Sequence, residues 1–326
     1  MPSASSAFEP PTTNSATPDR DRLGIDATGR VSVGERALVL GGGGSTGNAW
    51  LIGVVAGLSD AGLDVTAADL TIGTSAGSTA AAQFAGATPA ELYAAVMAAP
   101  APQRATPAGS GTGGGPAGPV VNHLERLQSH IAAAADAADL RRRLSDAALE
   151  LDAASDGLFS ARWRATVATR LPDRSWPPRT VLITAVDART GDPVVFDRHS
   201  GIDLVDAVAA SCSSGLPYRI GEGRYLDGGF RANAENADLA AGFARVLVLS
   251  PFGGRSLVPV EWGTHLATQV DELRLRGSRV ATIGPDPADE HLFGANGMDL
   301  SLRPAAARAG YRQGLALAEG LAEFWR

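Results

Sequence analysis

The segment IGTSAGS, Ile72 to Ser78, sets Ser75 between Gly73 and Gly77 in a G-x-S-x-G pattern. Glycines flanking a serine let the chain turn sharply between a strand and a helix. The hydroxyl then projects from the turn, and small neighbours leave room for a substrate. A helix starting there aims its positive end at an alkoxide or oxyanion. The chemistry this serves is nucleophilic attack on an acyl carbon; the competing reading is a tight turn capped by Ser75. Such a serine needs a base. Asp227, in YLDGGF, stands at a strand end, and Gly228 and Gly229 after it allow another loop to approach closely. An ordinary Asp-Gly turn is the alternative. None of the five histidines, His123, His130, His199, His265 and His291, sits in a catalytic-looking turn, so each reads as a surface or packing residue. Cys212, the single cysteine, reads as a small packing residue and permits no intrachain disulfide.

A second station precedes the first. LVLGGGGSTGNAW, Leu38 to Trp50, runs an apolar segment into four glycines and then into a helical pattern. Gly42, Gly44 and Gly47 satisfy G-x-G-x-x-G, which fits a pyrophosphate cradle. That reading wants an acidic residue ending the second strand, and Gly73-Thr74-Ser75 stands there instead. Backbone amides exposed by such a loop beside a nucleophile equally form an oxyanion hole.

These stations need a scaffold that brings them together. Ala37 to Leu40 and Leu70 to Ile72 read as short buried strands, each followed by a glycine turn and a helix, NAWLIGVVAGLSDAG and an Ala-rich segment. Successive strand-loop-helix units predict an α/β fold, with their loops on one sheet edge. In the first helix Trp50, Val54 or Val55, and Leu58 share a face. NHLERLQSHIAAAADAADLRRRLSDAALELDAA is helical in pattern, RTVLITAVDARTGDPVVFD reads as two strands about a turn, and ARVLVLSPF as another buried strand. The last segment spaces Tyr311, Leu315, Ala318 and Trp325 along a helix that packs the chain end, 300–326, onto the body. Residues 1–34 read as a disordered tail, 35–326 as one domain, and the Gly/Pro-rich 100–119 as a flexible loop.

The formal charge of −7 argues against a nucleic-acid partner and disfavours adsorption to an anionic membrane, leaving only transient contact with a lipid surface. All 28 basic residues other than histidine are Arg, which excludes a Schiff-base or P-loop lysine. No stretch reaches the roughly 18 apolar residues of a bilayer span, and no secretory h-region opens the chain, so a cytoplasmic protein is expected. No cofactor or metal is implied.

The ordered set GGGGSTG, GTSAG and DGG, with matching flanks across Ala37 to Pro251, resembles the patatin-like phospholipase family. The resemblance implies a three-layer α/β/α fold with a mostly parallel sheet, and a lipid acyl hydrolase working through a Ser-Asp dyad. It implies Ser75 as nucleophile, Asp227 as base, and Gly42, Gly43, Gly44 and Gly47 as the oxyanion motif. Thr46 stands where many members carry Arg or Lys. Competing expectations are a nucleotide- or lipid-binding module without catalysis, and an α/β-hydrolase triad completed by His265 or His291, for which too few strands precede Ser75.

Overall fold

The computed structural model describes residues 34–99 and 120–326, the side chains of 120–124 excepted. The N-terminal tail, the 100–119 loop and the His123 side chain thus lie outside the described residues. Strand β1 (Gly34–Leu40) leads into α1 (Gly44–Asp60), and β2 (Leu70–Gly73) into α2 (Ala76–Gly86) and α3 (Pro89–Ala98). The following helical stretch is two helices, α4 (Val120–Ala133) and α5 (Ala137–Ala153), because Asp136 caps the second by accepting the Asp139 amide at 2.7 Å. Then come α6 (Phe159–Ala168), β3 (Thr180–Asp187), β4 (Asp192–Phe196), α7 (Leu204–Ser211), β5 (Tyr218–Ile220) and β6 (Gly223–Asp227). The chain closes with β7 (Phe243–Leu249), α8 (Leu266–Leu275), β8 (Arg279–Ile283) and α9 (Arg303–Trp325).

The strands form one sheet in the order β5-β6-β3-β2-β1-β7-β8, with β4 also paired to β3. From β3 to β8 the neighbours along this path are parallel, whereas β4, β6 and β5 add antiparallel pairings. Alternation along β1 divides the core between two faces. Leu38 and Leu40 join the cluster that includes α1, α2, α7 and α9, while Ala37 and Val39 pack with α8 and the short turn at Ala237–Ala240. The molecule is therefore a three-layer α/β/α fold with a mostly parallel central sheet.

The first helix departs from the amphipathic expectation: α1 is buried all the way from Thr46 to Leu58. It is covered by α9, and the two backbones nearly touch. A Cβ at Gly53 would sit 2.1 Å from the Ala307 carbonyl oxygen, and one at Gly314 would sit 2.3 Å from that of Val54. The packing face of α9 accordingly includes Ala307, Gly310, Gly314, Ala318 and Trp325. Of the expected face, Ala318 and Trp325 are buried, Leu315 is exposed, and Tyr311 reaches sideways to stack on Tyr93 and donate to Asp60 at 2.6 Å.

Candidate active site

Ser75 occupies the turn between β2 and α2 with φ 52 and ψ −113, a conformation that L-residues avoid. Holding a non-glycine residue there costs on the order of 1–3 kcal/mol, so the surroundings must over-determine it. They do. The Ser75 amide donates to Ser211 Oγ at 2.9 Å, and its carbonyl accepts from Ser78 Oγ at 2.6 Å and Cys212 Sγ at 3.1 Å. A Cβ at Gly77 would fall 1.8 Å from the Leu40 carbonyl oxygen, so only glycine lets α2 leave across the end of β1. Gly73 is similarly confined, with Ser78 Cα 2.6 Å from its missing Cβ.

Sheet register brings Asp227 to the elbow. Gly73 pairs with Ile183 on one stretch of β3, and Asp227 pairs with Ala185 two residues further along the same strand. The offset along β3 is about 7 Å at the usual strand rise. Asp227 donates its amide to the Ser213 carbonyl at 2.8 Å, and its Oδ1 accepts from the Gly229 amide at 2.8 Å. Burial leaves the residue 8% exposed. Desolvation raises its pKa to about 6, against the lowering pull of the Gly229 amide and the Ser75 side chain. Gly228 has no room for a side chain, since its Cβ would meet Thr184 Oγ1 at 2.1 Å.

A buried polar cluster couples the two turns. Thr74 Oγ1 and Thr184 Oγ1 share a hydrogen bond at 2.9 Å, and the Asn236 amide group donates to Thr74 Oγ1 at 3.0 Å and to the Gly228 carbonyl at 2.9 Å. Asn236 pays for this with a left-handed backbone, φ 55. Neither Asn236 nor Ser211 announces itself in the sequence; the bonds that tie them to the Ser75 turn span residues distant along the chain. Beside them Glu235 is buried, held by Ser250 Oγ at 2.5 Å, and desolvation raises its pKa to about 6.

The glycine loop lies alongside, but its four glycines are not equivalent. The Gly42 amide donates to the Ala234 carbonyl at 2.8 Å, and the Gly47 amide to the Gly43 carbonyl at 3.0 Å. Of the expected group Gly42, Gly43, Gly44 and Gly47, these two amides are engaged within the protein itself. The amides of Gly43 and Gly44 have no backbone acceptor among the described residues. Gly44, at φ 66, is braced by the C-terminal segment, where a Cβ would strike the Gly297 carbonyl oxygen at 2.7 Å. The same carbonyl accepts the Thr46 amide at 3.0 Å. Thr46 is fully buried and its hydroxyl finds no partner among the described residues. The charge near this loop comes instead from α9: the Arg303 guanidinium donates to Ser45 O at 2.7 Å, Ser45 Oγ at 3.1 Å and Asn48 Oδ1 at 3.1 Å.

A cleft of about 360 Å³ opens over these elements, lined among others by Gly44, Ser75, Asp227, Arg170 and Arg303. Among the described residues no histidine lines it. His265 is bonded through Nε2 to the Val258 carbonyl at 2.8 Å and His291 through Nδ1 to that of Ala288 at 3.1 Å, so the histidine triad is not assembled. The Cys212 thiol is pushed up to about 11 by burial, with the Asp227 charge adding to the rise, which suits a packing and hydrogen-bonding role. Among the described residues no group of His, Cys, Asp and Glu could hold a metal ion. Nor is any helix among them long and apolar enough to cross a membrane.

The family profile described as patatin-like phospholipase matches residues 38–240, more than half of the chain, and spans the glycine loop, the elbow and the Asp-Gly-Gly turn. The chain belongs to the patatin-like phospholipase family. Among solved structures it is similar to VipD from Legionella pneumophila, with 12% identity, a TM-score of 0.37, and coverage of 88% of this chain and 67% of that one. No curated protein matches the sequence. Arg303 and the bracing segment at Gly297 fall outside the stretch matched by the patatin-like profile, which ends before β7.

Proposed function

We propose that this patatin-like chain is a lipid acyl hydrolase of phospholipase A type, cleaving carboxylic esters through a Ser75–Asp227 dyad and an acyl-serine intermediate. The observation that carries the proposal is the strained Ser75 turn, paired through β3 with a buried aspartate of raised pKa. A carboxylate with pKa about 6 is ionised at neutral pH yet far more basic than one in water.

In the first half-reaction Ser75 Oγ attacks the ester carbonyl carbon as its proton passes to Asp227. Charge develops on the carbonyl oxygen, and the unspent amides of Gly43 and Gly44 stand as its donors. Collapse breaks the C–O bond, the alcohol leaves with the proton from Asp227, and the acyl group remains on Ser75. Water then attacks, giving its proton to Asp227; the second collapse returns that proton to Ser75 Oγ and frees the fatty acid.

The acyl chain has a place to lie. Ser214 lines both the cleft and an adjoining groove walled by Leu144, Ala148, Leu151, Leu226 and Phe230. Leu151 is 48% exposed, consistent with a lip that touches a lipid surface in passing. Residues 35–326 then work as one hydrolase domain, in keeping with the cytoplasmic setting expected from the sequence.

The nucleotide reading finds less support, because the loop amides of Gly41, Gly42, Thr46 and Gly47 are spent on the Leu249, Ala234, Gly297 and Gly43 carbonyls. The test of the proposal is labelling with a fluorophosphonate, followed by mass spectrometry of the digested protein. An adduct on Ser75 supports the dyad; an unlabelled Ser75 in protein that hydrolyses esters overturns it.

A further inference from the structure

Two arginines face the catalytic cleft, and neither forms an ion pair with a carboxylate among the described residues. Arg170, just beyond α6, lies with its guanidinium 5.0 Å from the centre of the Trp163 ring. Arg303, at the start of α9, is fixed by its bonds to Ser45 and Asn48, all of them to neutral oxygens. The two are near enough to feel each other: burial lowers the Arg303 pKa, and the Arg170 charge lowers it further. Holding like charges together in a part-buried cleft is unfavourable unless something negative comes between them. In a protein of net charge −7, the one carboxylate among the described residues lining this cleft is Asp227, the residue assigned to the dyad.

The rest of the cleft gives this charge a direction. Ser214 connects to the groove of Leu144, Leu151 and Phe230, a mainly apolar wall that Arg126 and His130 also line, whereas Asn48, Gln83, Arg170 and Arg303 make another part of the cleft wall polar. An ester held at Ser75 with its acyl chain in the groove has its alcohol half left for the polar wall. Guanidinium groups bind phosphate and carboxylate oxygens through paired, charge-assisted hydrogen bonds.

Building on the acyl hydrolase reading, we infer that the cleft selects esters whose alcohol half carries an anionic phosphate or carboxylate, received between Arg170 and Arg303. Arg303 is the preorganised partner, because its anchors already fix its position. Arg170, exposed and resting on Trp163, closes on the anion from the other side.

The test compares three soluble octanoyl esters on the full chain: neutral monooctanoylglycerol, its 3-phosphate, and its 3-hemisuccinate. The expected result is a kcat/KM at least tenfold higher for one or both anionic esters than for the neutral one, falling as salt is added. Whether the phosphate or the carboxylate ester leads identifies the anion. In Arg170→Gln the preference falls to within about threefold, mainly through KM, and Arg170→Lys recovers part of it. Inorganic phosphate inhibits cleavage of the neutral ester competitively, and more weakly in Arg170→Gln. Equal kcat/KM for all three esters, or a preference that survives in well-folded Arg170→Gln, overturns the inference and leaves the hydrolase reading standing. Failure of the hydrolase reading looks different: no ester is cleaved, or Ser75→Ala cleaves them as well as the parent protein.

Discussion

Two regions of this protein depend on glycine for opposite reasons. Where α1 crosses α9, Gly53, Gly57, Gly310 and Gly314 remove side chains so that backbone packs on backbone, and the helical hydrogen bonds stay closed. In the loop from Gly41 to Gly47 the backbone is partly left open: Gly42 and Gly47 close their amides on neighbours, while Gly43 and Gly44 do not. The first region gains stability from contact. The second gives some up, since unpaired amides and a serine at φ 52 are both costly. α1 belongs to both, opening in the loop and running under α9, so the firm packing of its body holds the loop in place. Strain at the site is supported by backbone-on-backbone packing along the rest of α1.

That contrast predicts that changes at the site alter activity with little loss of stability, and changes at the crossing do the reverse. The largest effect belongs to Ser75→Ala, which should lower kcat by about 10⁴-fold or more, roughly 5 kcal/mol, with an unchanged melting curve. A large fall in melting temperature would show that Ser75 also supports the fold. Next comes Gly53→Ala. Its Cβ cannot fit 2.1 Å from the Ala307 oxygen without parting the helices, and about 3 kcal/mol of stability should be lost by urea titration. Wild-type stability in that variant would break the comparison.

Asp227→Asn joins the two sides. A carboxyl whose folded pKa of about 6 exceeds the unfolded value loses its proton in the unfolded chain first. Its contribution to stability therefore falls as pH rises from about 4 to 6 and stays low above that. The variant should lose ester cleavage yet gain up to about 3 kcal/mol at pH 8, with little gain at pH 4. Glu235, raised in the same way, adds to the pH dependence of the parent protein. In the wild-type enzyme, kcat/KM should fall tenfold per pH unit below about 6 as Asp227 takes up its proton, which a pH–rate profile reads directly. The smallest effect is expected of Thr46→Val. Its buried hydroxyl has no partner among the described residues, so stability should hold within about 0.5 kcal/mol or improve slightly.

Much of the candidate site's turn geometry was legible because it is local. Ser75 and its flanking glycines define a turn within seven residues, and Asp227 with Gly228 and Gly229 defines another. The alternation of short apolar runs with glycine turns likewise pointed to α/β layers. Less of the periphery was readable: α3, α6, α8 and β8 are short, and their patterns blend into the surrounding loops. The amphipathic reading of α1 failed because a helix covered on nearly every side has no polar face to set its period.

By itself the sequence determined the order of the motifs, the residue types at the candidate site and the small side chains that let those turns form. Local sterics decide such things, and they act between near neighbours. Tertiary structure alone decided which glycine amides remain unpaired, that Asn236 and Thr184 tie the elbow to the Asp227 turn, and that Arg303 supplies a charge beside Thr46. Each of these joins residues far apart in the chain, brought together by sheet register and by the docking of α9. Contacts of that kind exist only once the layers have packed.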